Sequence, residues 1–283
     1  MPVTPYLTQE MLDRLVKLPK LQRRIALAKV AQEEWNRCAE DITYWLDARR
    51  HPIPYVYTKD PKAMHTCNLC QDGEAWNFDK RQVHLLSRHK IQANSSDALK
   101  QYFTELDTIR KFPMFDYMLP IIDVWQKEKL VVVEKSRDMM ATWLIVTLYT
   151  HDTLFHKGRQ NIFQSENATK TRDLVDRAAI LYKNQPEWLR KVHPAEIAEG
   201  GNRAGILKVP SLQSEIIGFP AGADKIRQYH PSGVFSDEAA FNPNASESFA
   251  AIKPAISGGG RYTAISSANP GWFQRICRDT LEQ

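Results

Sequence analysis

Three short stretches of the sequence hold side chains of the types and spacing that phosphate transfer needs. Asp237 and Glu238 stand together at the end of the apolar run Gly233-Val-Phe-Ser236. Two such carboxylates divide the work of a nucleoside triphosphatase: Asp237 can hold the hydration shell of Mg²⁺, and Glu238 can polarise an attacking water. Upstream, Lys135-Ser-Arg-Asp-Met-Met-Ala-Thr142 follows the apolar run Leu130-Val-Val-Val133 and precedes an apolar helical stretch. A strand, a short polar turn and a helix N-terminus together present backbone N–H groups to anionic oxygens. The usual text of such a loop, G-x4-G-K-[ST], is broken here. Thr142 keeps the hydroxyl position, whereas Met140 and Ala141 fill the Gly and Lys positions. The substitute cation is Lys135 at the front of the loop, with Arg137 two residues on. Downstream, Ser266-Ser-Ala-Asn-Pro270 places small polar side chains at the end of a further strand, where they can sense a γ-phosphate. Each stretch alone has a plainer reading, a solvated loop or a turn; their order and separation favour a nucleotide site.

A fourth constellation is Cys67-Asn-Leu-Cys70 followed by His84 and His89, a Cys-x2-Cys-x13-His-x4-His arrangement. Two thiolates in a tight knuckle and two imidazoles about one helical turn apart can close a tetrahedral shell around Zn²⁺. Asp79 to Lys90 has the composition of that helix, and Trp76, Phe78, Val83 and Leu86 are the expected small core. The alternative is a chance cluster of two buried thiols and two surface histidines. Lys80, Arg81, Arg88 and Lys90 suit a DNA contact or an ordinary solvated helix face.

The elements that must position these groups follow from periodicity. Residues 1 to about 50 read as helix, with Leu15, Leu18, Leu21, Ile25, Leu27, Val30 and Trp35 at helical spacing and a break at Pro19. His51-Pro-Ile-Pro-Tyr-Val-Tyr57 ends that region. Residues 61–95 hold two of the four cysteines and three of the eight histidines, a composition shift that suggests an inserted module. From Phe112 onward, strands expected at 130–133, 161–164, 233–236 and 263–266 alternate with helices expected at 140–150 and 166–183. Such alternation predicts a three-layer α/β domain with a mainly parallel sheet. Gly258-Gly-Gly260 reads as a turn. The expected organisation is a helical N-terminal region (1–60), a zinc-finger-like module (61–95) and an ATPase domain (96–283).

Composition bounds the function. Across 283 residues, 38 Lys and Arg against 33 Asp and Glu give a formal charge of +5, which permits an acidic polymer as partner without demanding one. The longest nearly apolar stretch, 139–149, is about half a membrane span, so no transmembrane helix and no membrane partner are expected. No secretory signal is visible. Four cysteines do not make a disulfide scaffold, and a reducing compartment is expected.

The ordered set Lys135-Ser-Arg-Asp-Met-Met-Ala-Thr-Trp143, Val234-Phe-Ser-Asp-Glu-Ala-Ala-Phe241 and Ser266-Ser-Ala-Asn-Pro270 resembles the ATPase half of the large terminase subunit of tailed bacteriophages. That family often carries a deviant phosphate loop, including forms with the lysine in front. The lead-in 112–127 also looks like the family's segment near the adenine, and the resemblance spans roughly residues 30 to 275. Two departures stand out: Met140 replaces a glycine the family usually keeps, and the Cys/His cluster is not a general family feature. The resemblance implies a P-loop NTPase fold of the ASCE type that uses ATP and Mg²⁺. It implies that Lys135, beside Ser136, contacts the β/γ-phosphates, that Thr142 and Asp237 serve Mg²⁺, and that Glu238 is the catalytic carboxylate. Ser267, Ala268 and Asn269 would form the coupling motif, and Arg137 a second phosphate cation. Arg227 is a candidate transition-state arginine, with a plain surface arginine as its other reading. The implied partners are double-stranded DNA, the portal protein of a procapsid, the small terminase subunit and further copies in a ring on the portal, all in the host cell cytoplasm. The family's nuclease domain is not expected in this chain, because the 14 residues after Asn269 hold one Asp and one Glu. Two rivals remain: a helicase or repair ATPase on the same fold, and a non-hydrolysing, zinc-containing DNA-binding or scaffolding protein.

Overall fold

The described residues open with helix because positions 9–50 carry apolar side chains at helical spacing between strong helix formers. A computed structural model describes residues 9–51, 54–59, 65–70, 73–74, 78–105, 109–137, 139–198, 205–219 and 229–278. Helix α1 (Gln9–Lys17) gives way at Pro19, the N-cap of α2 (Lys20–Glu40). Proline fits there because its missing N–H is not needed at a helix start. Asp41 then caps α3 (Ile42–Leu46), its Oδ1 accepting from the Thr43 amide at 2.8 Å. The buried Glu34 of α2 is satisfied by the hydroxyls of Tyr44 and Tyr55, at 2.7 and 3.1 Å.

The chain divides into two compact units, Thr58–Lys111 and the remainder. In the smaller unit, β1 (Tyr57–Lys59) pairs with β5 (Ile109–Lys111). Between them, β2 (His65–Cys67) pairs antiparallel with β3 (Gly73–Glu74) and with β4 (Phe103–Glu105). Helix α4 (Phe78–His84) runs straight into a π-helical turn, Leu85–His89, and α5 (Ser96–Lys100) follows. The unit reaches beyond residues 61–95 because two of its strands come from 103–111. Its core is also not the expected one. Cys67, Leu85, Ala93, Leu99 and Phe103 are buried together, whereas Val83 and Leu86 are 64% and 55% exposed. The helix turns Leu85 inward, which leaves its neighbours at 83 and 86 facing outward. Trp76 and the side chain of Phe78 lie outside the described residues.

The larger unit is built on strands that begin where the apolar β-branched runs begin. Its remaining elements are α6 (Met118–Lys127), β6 (Leu130–Glu134), α7 (Ala141–Phe155), β7 (Gln160–Gln164), α8 (Ala168–Lys183), α9 (Glu187–Arg190), β8 (Glu196–Ala198), β9 (Ile206–Val209), β10 (Ser214–Gly218), β11 (Gly233–Asp237), α10 (Ala245–Ser257), β12 (Arg261–Ser266) and α11 (Trp272–Cys277). The sheet order is β6-β12-β11-β7-β10-β9-β8. Its first five strands are parallel and the last two antiparallel. The four expected strands and two expected helices are present; β8, β9 and β10 are additional. Their polar positions, such as Lys208 and Glu215, interrupt the apolar signal.

One face of the sheet, with Val131, Phe163, Phe235 and Ile265, packs with α2, α3, α7 and α8; the other, with Ile162, Val234, Tyr262 and Ala264, packs with α10 and α11. These layers make a mixed α/β fold with a mostly parallel sheet. The helical N-terminal segment shares the first core, and His151 of α7 donates from Nε2 to the Cys38 carbonyl at 2.6 Å. Helix α7 is buried on all sides apart from Thr142 and Asp152. Its buried threonines at 147, 150 and 153 satisfy their hydroxyls on carbonyls four residues back, at 2.6–2.9 Å. Gly233 is required where β11 passes α7, since a Cβ there would lie 2.5 Å from the Tyr149 ring. Among the described residues no helix is long and apolar enough to cross a membrane.

Candidate active site and metal centre

Strand β12 lies between β6 and β11, so the phosphate-loop candidate and the paired carboxylates emerge on either side of Ser266. Register fixes this: Val133 pairs with Ile265, and Ile265 with Asp237. The loop is held at both ends. The Lys135 amide donates to the Ser266 carbonyl at 3.0 Å, and the Tyr117 hydroxyl donates to the Met139 carbonyl at 2.8 Å. Met140 then takes the left-handed conformation, φ +49°, and caps α7, its carbonyl accepting from the Leu144 amide at 2.9 Å. The backbone therefore makes the turn that glycine makes most readily, with a side chain bearing the strain.

Thr142 donates from Oγ1 to Asp237 Oδ1 at 3.2 Å, and the Glu238 amide donates to the same oxygen at 3.0 Å. Asp237 is only 8% exposed. Burial, and then the charge of Glu238, push its carboxyl above the usual range, while Lys135 and then Arg177 pull it back. Glu238 is also left-handed, φ +53°, so the chain turns sharply after Asp237. Its Oε1 lies 3.7 Å from Lys135 Nζ, with the two side chains 28% and 13% exposed. Lys135, Thr142, Asp237 and Glu238 are thus brought together from three elements. A hydroxyl beside a buried carboxylate is a hard-oxygen pair suited to Mg²⁺, and an ammonium beside a second carboxylate offers a cation and a base.

The end of β12 is tied to the turn after Glu238 through one residue. The Ala240 amide donates to Ser266 Oγ at 3.2 Å, and Asn269 Nδ2 donates to the Ala240 carbonyl at 3.0 Å. Ser267 and Ala268 line an open cleft of about 660 Å³ with Glu134, Lys135 and Ser136, within the size range of small-molecule sites. Arg137 is exposed on the loop, and the described residues give it no hydrogen bond or ion pair. Arg227 lies outside the described residues. Three neighbours escaped the sequence reading. Tyr117 holds the loop as noted. Lys170 in the first turn of α8 bonds Glu166 at 2.8 Å and feels Glu238 and Asp237. Arg177 of α8 places its guanidinium carbon 5.4 Å from the Trp143 ring. The available signal for Arg177 was a cation at the rim of an apolar helix stripe.

In the smaller unit, Cys70 Sγ is 3.3 Å from His84 Nε2, and Cys67 Sγ is 3.6 Å from His89 Nε2. All four ligand atoms lie within 4.8 Å of one another. Zinc–sulfur and zinc–nitrogen bonds of about 2.3 and 2.0 Å require ligand separations of about 3.3–3.8 Å in a tetrahedron. The donor set and its spacing fit zinc. The π-helical turn explains the long His-x4-His interval. In an α-helix His89 would lie about 140° around from His84, but the i→i+5 bond from the Lys90 amide to the Leu85 carbonyl brings it back toward the same side. Arg81 is turned to Phe103, its Cζ 6.0 Å from the ring, and so belongs to the inner face of the helix.

No protein-family model matches the chain. Among solved structures, it is similar to a point mutant of the large terminase ATPase domain of Thermus phage P74-26, at 16% identity and TM-score 0.43, over 58% of this chain and 70% of that one. It is similar to the large terminase of bacteriophage HK97 at 14% identity and TM-score 0.47, over 60% of this chain and 37% of that one. The large terminase from a thermophilic bacteriophage gives 14% identity and TM-score 0.39, over 60% of this chain and 42% of that one. The matched part spans less than half the length of these last two proteins.

Proposed function

We propose that the chain is an ATP-hydrolysing motor domain that drives double-stranded DNA into a viral procapsid. The observation that carries the reading is the Thr142–Asp237 pair with Lys135 and Glu238 beside it, on three elements joined through β12. Lys135 and the N-terminus of α7 bind the β- and γ-phosphates, with Ser136 beside them and Arg137 reaching in from the exposed side. Thr142 and Asp237 hold Mg²⁺, which when bound neutralises charge on the phosphate oxygens. Glu238 exchanges its contact with Lys135 for the attacking water and takes the proton as the new P–O bond forms; the bond to the bridging oxygen breaks and ADP leaves with the electron pair. Ser267 and Asn269 read the γ-phosphate and pass its loss to the Ala239–Phe241 turn. The role in packaging, with portal protein and small subunit as partners and a ring of copies on the portal, rests on the motif resemblance. Arg227 remains the candidate transition-state arginine.

Steady-state ATP turnover of wild type and Glu238→Gln tests the chemistry. The amide keeps the shape and removes the basic oxygen, so nucleotide binding should persist while turnover falls by at least about 100-fold. Wild-type turnover in that variant would remove Glu238 from its role. Stimulation by portal or procapsid, and not by single-stranded DNA, separates a packaging motor from a helicase.

We also propose that Cys67, Cys70, His84 and His89 hold one structural Zn²⁺, which when bound cross-links β2 to the π-helical turn. Metal analysis after dialysis of protein prepared without chelators should find one zinc per chain; none would end the assignment.

A further inference from the structure

Helix α8 buries Thr171, Leu174, Val175, Ala178 and Leu181, and Arg177 projects from the rim of that stripe. A guanidinium in such a place is costly to desolvate and calls for an explanation. Burial indeed disfavours its charged form, against which the charges of Asp237 and then Asp173 act. Yet the described residues give Arg177 neither a hydrogen bond nor an ion pair. Among the described residues it lies over the face of Trp143, 5.4 Å away and 8% exposed. Trp143 immediately follows Thr142, whose hydroxyl binds Asp237. Arg177 therefore touches the turn that presents one oxygen of the pair. A direct fork on Asp237 would occupy the lone pairs a cation needs. Placed over the indole instead, the guanidinium holds the ring without taking them.

We propose that Arg177 is the positioning residue of the Thr142–Asp237 cation pair: placed over the Trp143 ring, it fixes the first turn of α7 against α8. This rests on the reading of that pair as a Mg²⁺ site. It acts through Trp143 and need not contact the nucleotide.

The experiment measures Mn²⁺ uptake in the presence of saturating ADP by electron paramagnetic resonance, and ADP binding in EDTA by a fluorescent analogue, for wild type, Arg177→Gln, Arg177→Lys and Trp143→Phe. Arg177→Gln should weaken Mn²⁺ binding by about tenfold, the scale of lost outer-shell support. ADP affinity in EDTA should change by less than about twofold. Arg177→Lys keeps the charge without the plane and should lose about threefold. Combining Trp143→Phe with Arg177→Gln should cost no more than Arg177→Gln alone, since both remove one contact. A merely structural arginine would lower both affinities together, and that result overturns the proposal, as does wild-type Mn²⁺ binding in a folded Arg177→Gln. If Arg177→Gln does not fold, Arg177→Lys decides by the same split. If wild type itself takes up no Mn²⁺ with ADP, the nucleotide reading fails and the role of Arg177 fails with it; if wild type binds normally, only the role of Arg177 is at stake.

Discussion

The candidate nucleotide site and the Cys/His centre assemble four side chains each, on foundations of different size. Lys135, Thr142, Asp237 and Glu238 stand at the ends of parallel strands in a seven-stranded sheet, with helices packed on both faces. Cys67, Cys70, His84 and His89 are held by strands of two or three residues and a helical turn over five buried side chains. Burial of apolar surface at about 25 cal/mol per Å² stabilises the first foundation outright. Among its described residues the smaller unit has one small buried cluster, and units with so small a core commonly need a metal or another cross-link to offset backbone entropy. On the proposed reading, the candidate nucleotide site is a passenger on the larger fold, whereas a metal held by the Cys/His cluster would be part of what makes its unit fold.

The largest expected effect follows from that difference. A structural zinc contributes about 10 kcal/mol or more to a domain of this kind. Chelation should abolish amide-exchange protection across 65–105 while leaving β6, β7, β11 and β12 protected. Cys70→Ser should do the same. Loss of protection across the sheet as well, or retained protection in the small unit, would break the contrast.

Next in size is Lys135→Ala. The ordinary lysine position holds Ala141, and Lys135 is the cation at Glu238. Removing it should cost about 100-fold in ATP turnover, about 2.7 kcal/mol, with the melting temperature nearly unchanged. Ala141→Lys should not restore full activity, because the loop's backbone is set for a cation at its front. If Arg137→Ala is inactive and Lys135→Ala is not, the arginine carries the charge.

The larger unit has its own titratable pin. His151 is buried between α7 and α2, and burial pushes its pKa down to about 3 from the ordinary 6.5. Above pH 6.5 neither state binds the proton. Below it the unfolded chain does and the folded chain does not, so stability falls with pH between about 6.5 and 3. At pH 5 the loss is about 2 kcal/mol. Denaturant titrations of His151→Gln should show a shallower acid slope than wild type; parallel slopes would show that His151 takes its proton while folded.

The side chains that the structure brings together were legible as candidates because they lie in contiguous text: the cysteine knuckle, Asp237-Glu238 and the strand–turn–helix around Lys135. Strands β7, β11 and β12 are buried on both faces, whereas β6, at one edge of the sheet, was legible from its apolar β-branched run alone. Three things were not. Strands β8, β9 and β10 carry charged positions such as Glu196, Lys208 and Glu215 that break the apolar signal. The inward residue of the His84–His89 segment was misplaced because Leu85 and Leu86 are equivalent as text, whereas the structure buries Leu85. Arg177 and Tyr117 act across the fold, and a single sequence carries no trace of which distant residue a side chain will face.

The smallest effect concerns Met140, the clearest departure from the usual loop. Held at φ +49°, its side chain costs about 1–2 kcal/mol relative to a residue free to adopt that conformation. It also packs against the main core, so removing it loses contact. Met140→Ala and Met140→Gly lose that contact almost equally, and they differ in backbone freedom. At an ordinary helical position alanine is the more stabilising by about 1 kcal/mol. Here the order should reverse, with Met140→Gly the more stable by about 1 kcal/mol in denaturant titrations, because only glycine enters the left-handed region without strain. Met140→Gly should also keep nucleotide binding, since the loop already follows a glycine-like path. If Met140→Ala proves the more stable, the left-handed turn is not what holds this loop, and the missing glycine marks a different loop rather than the same one under strain.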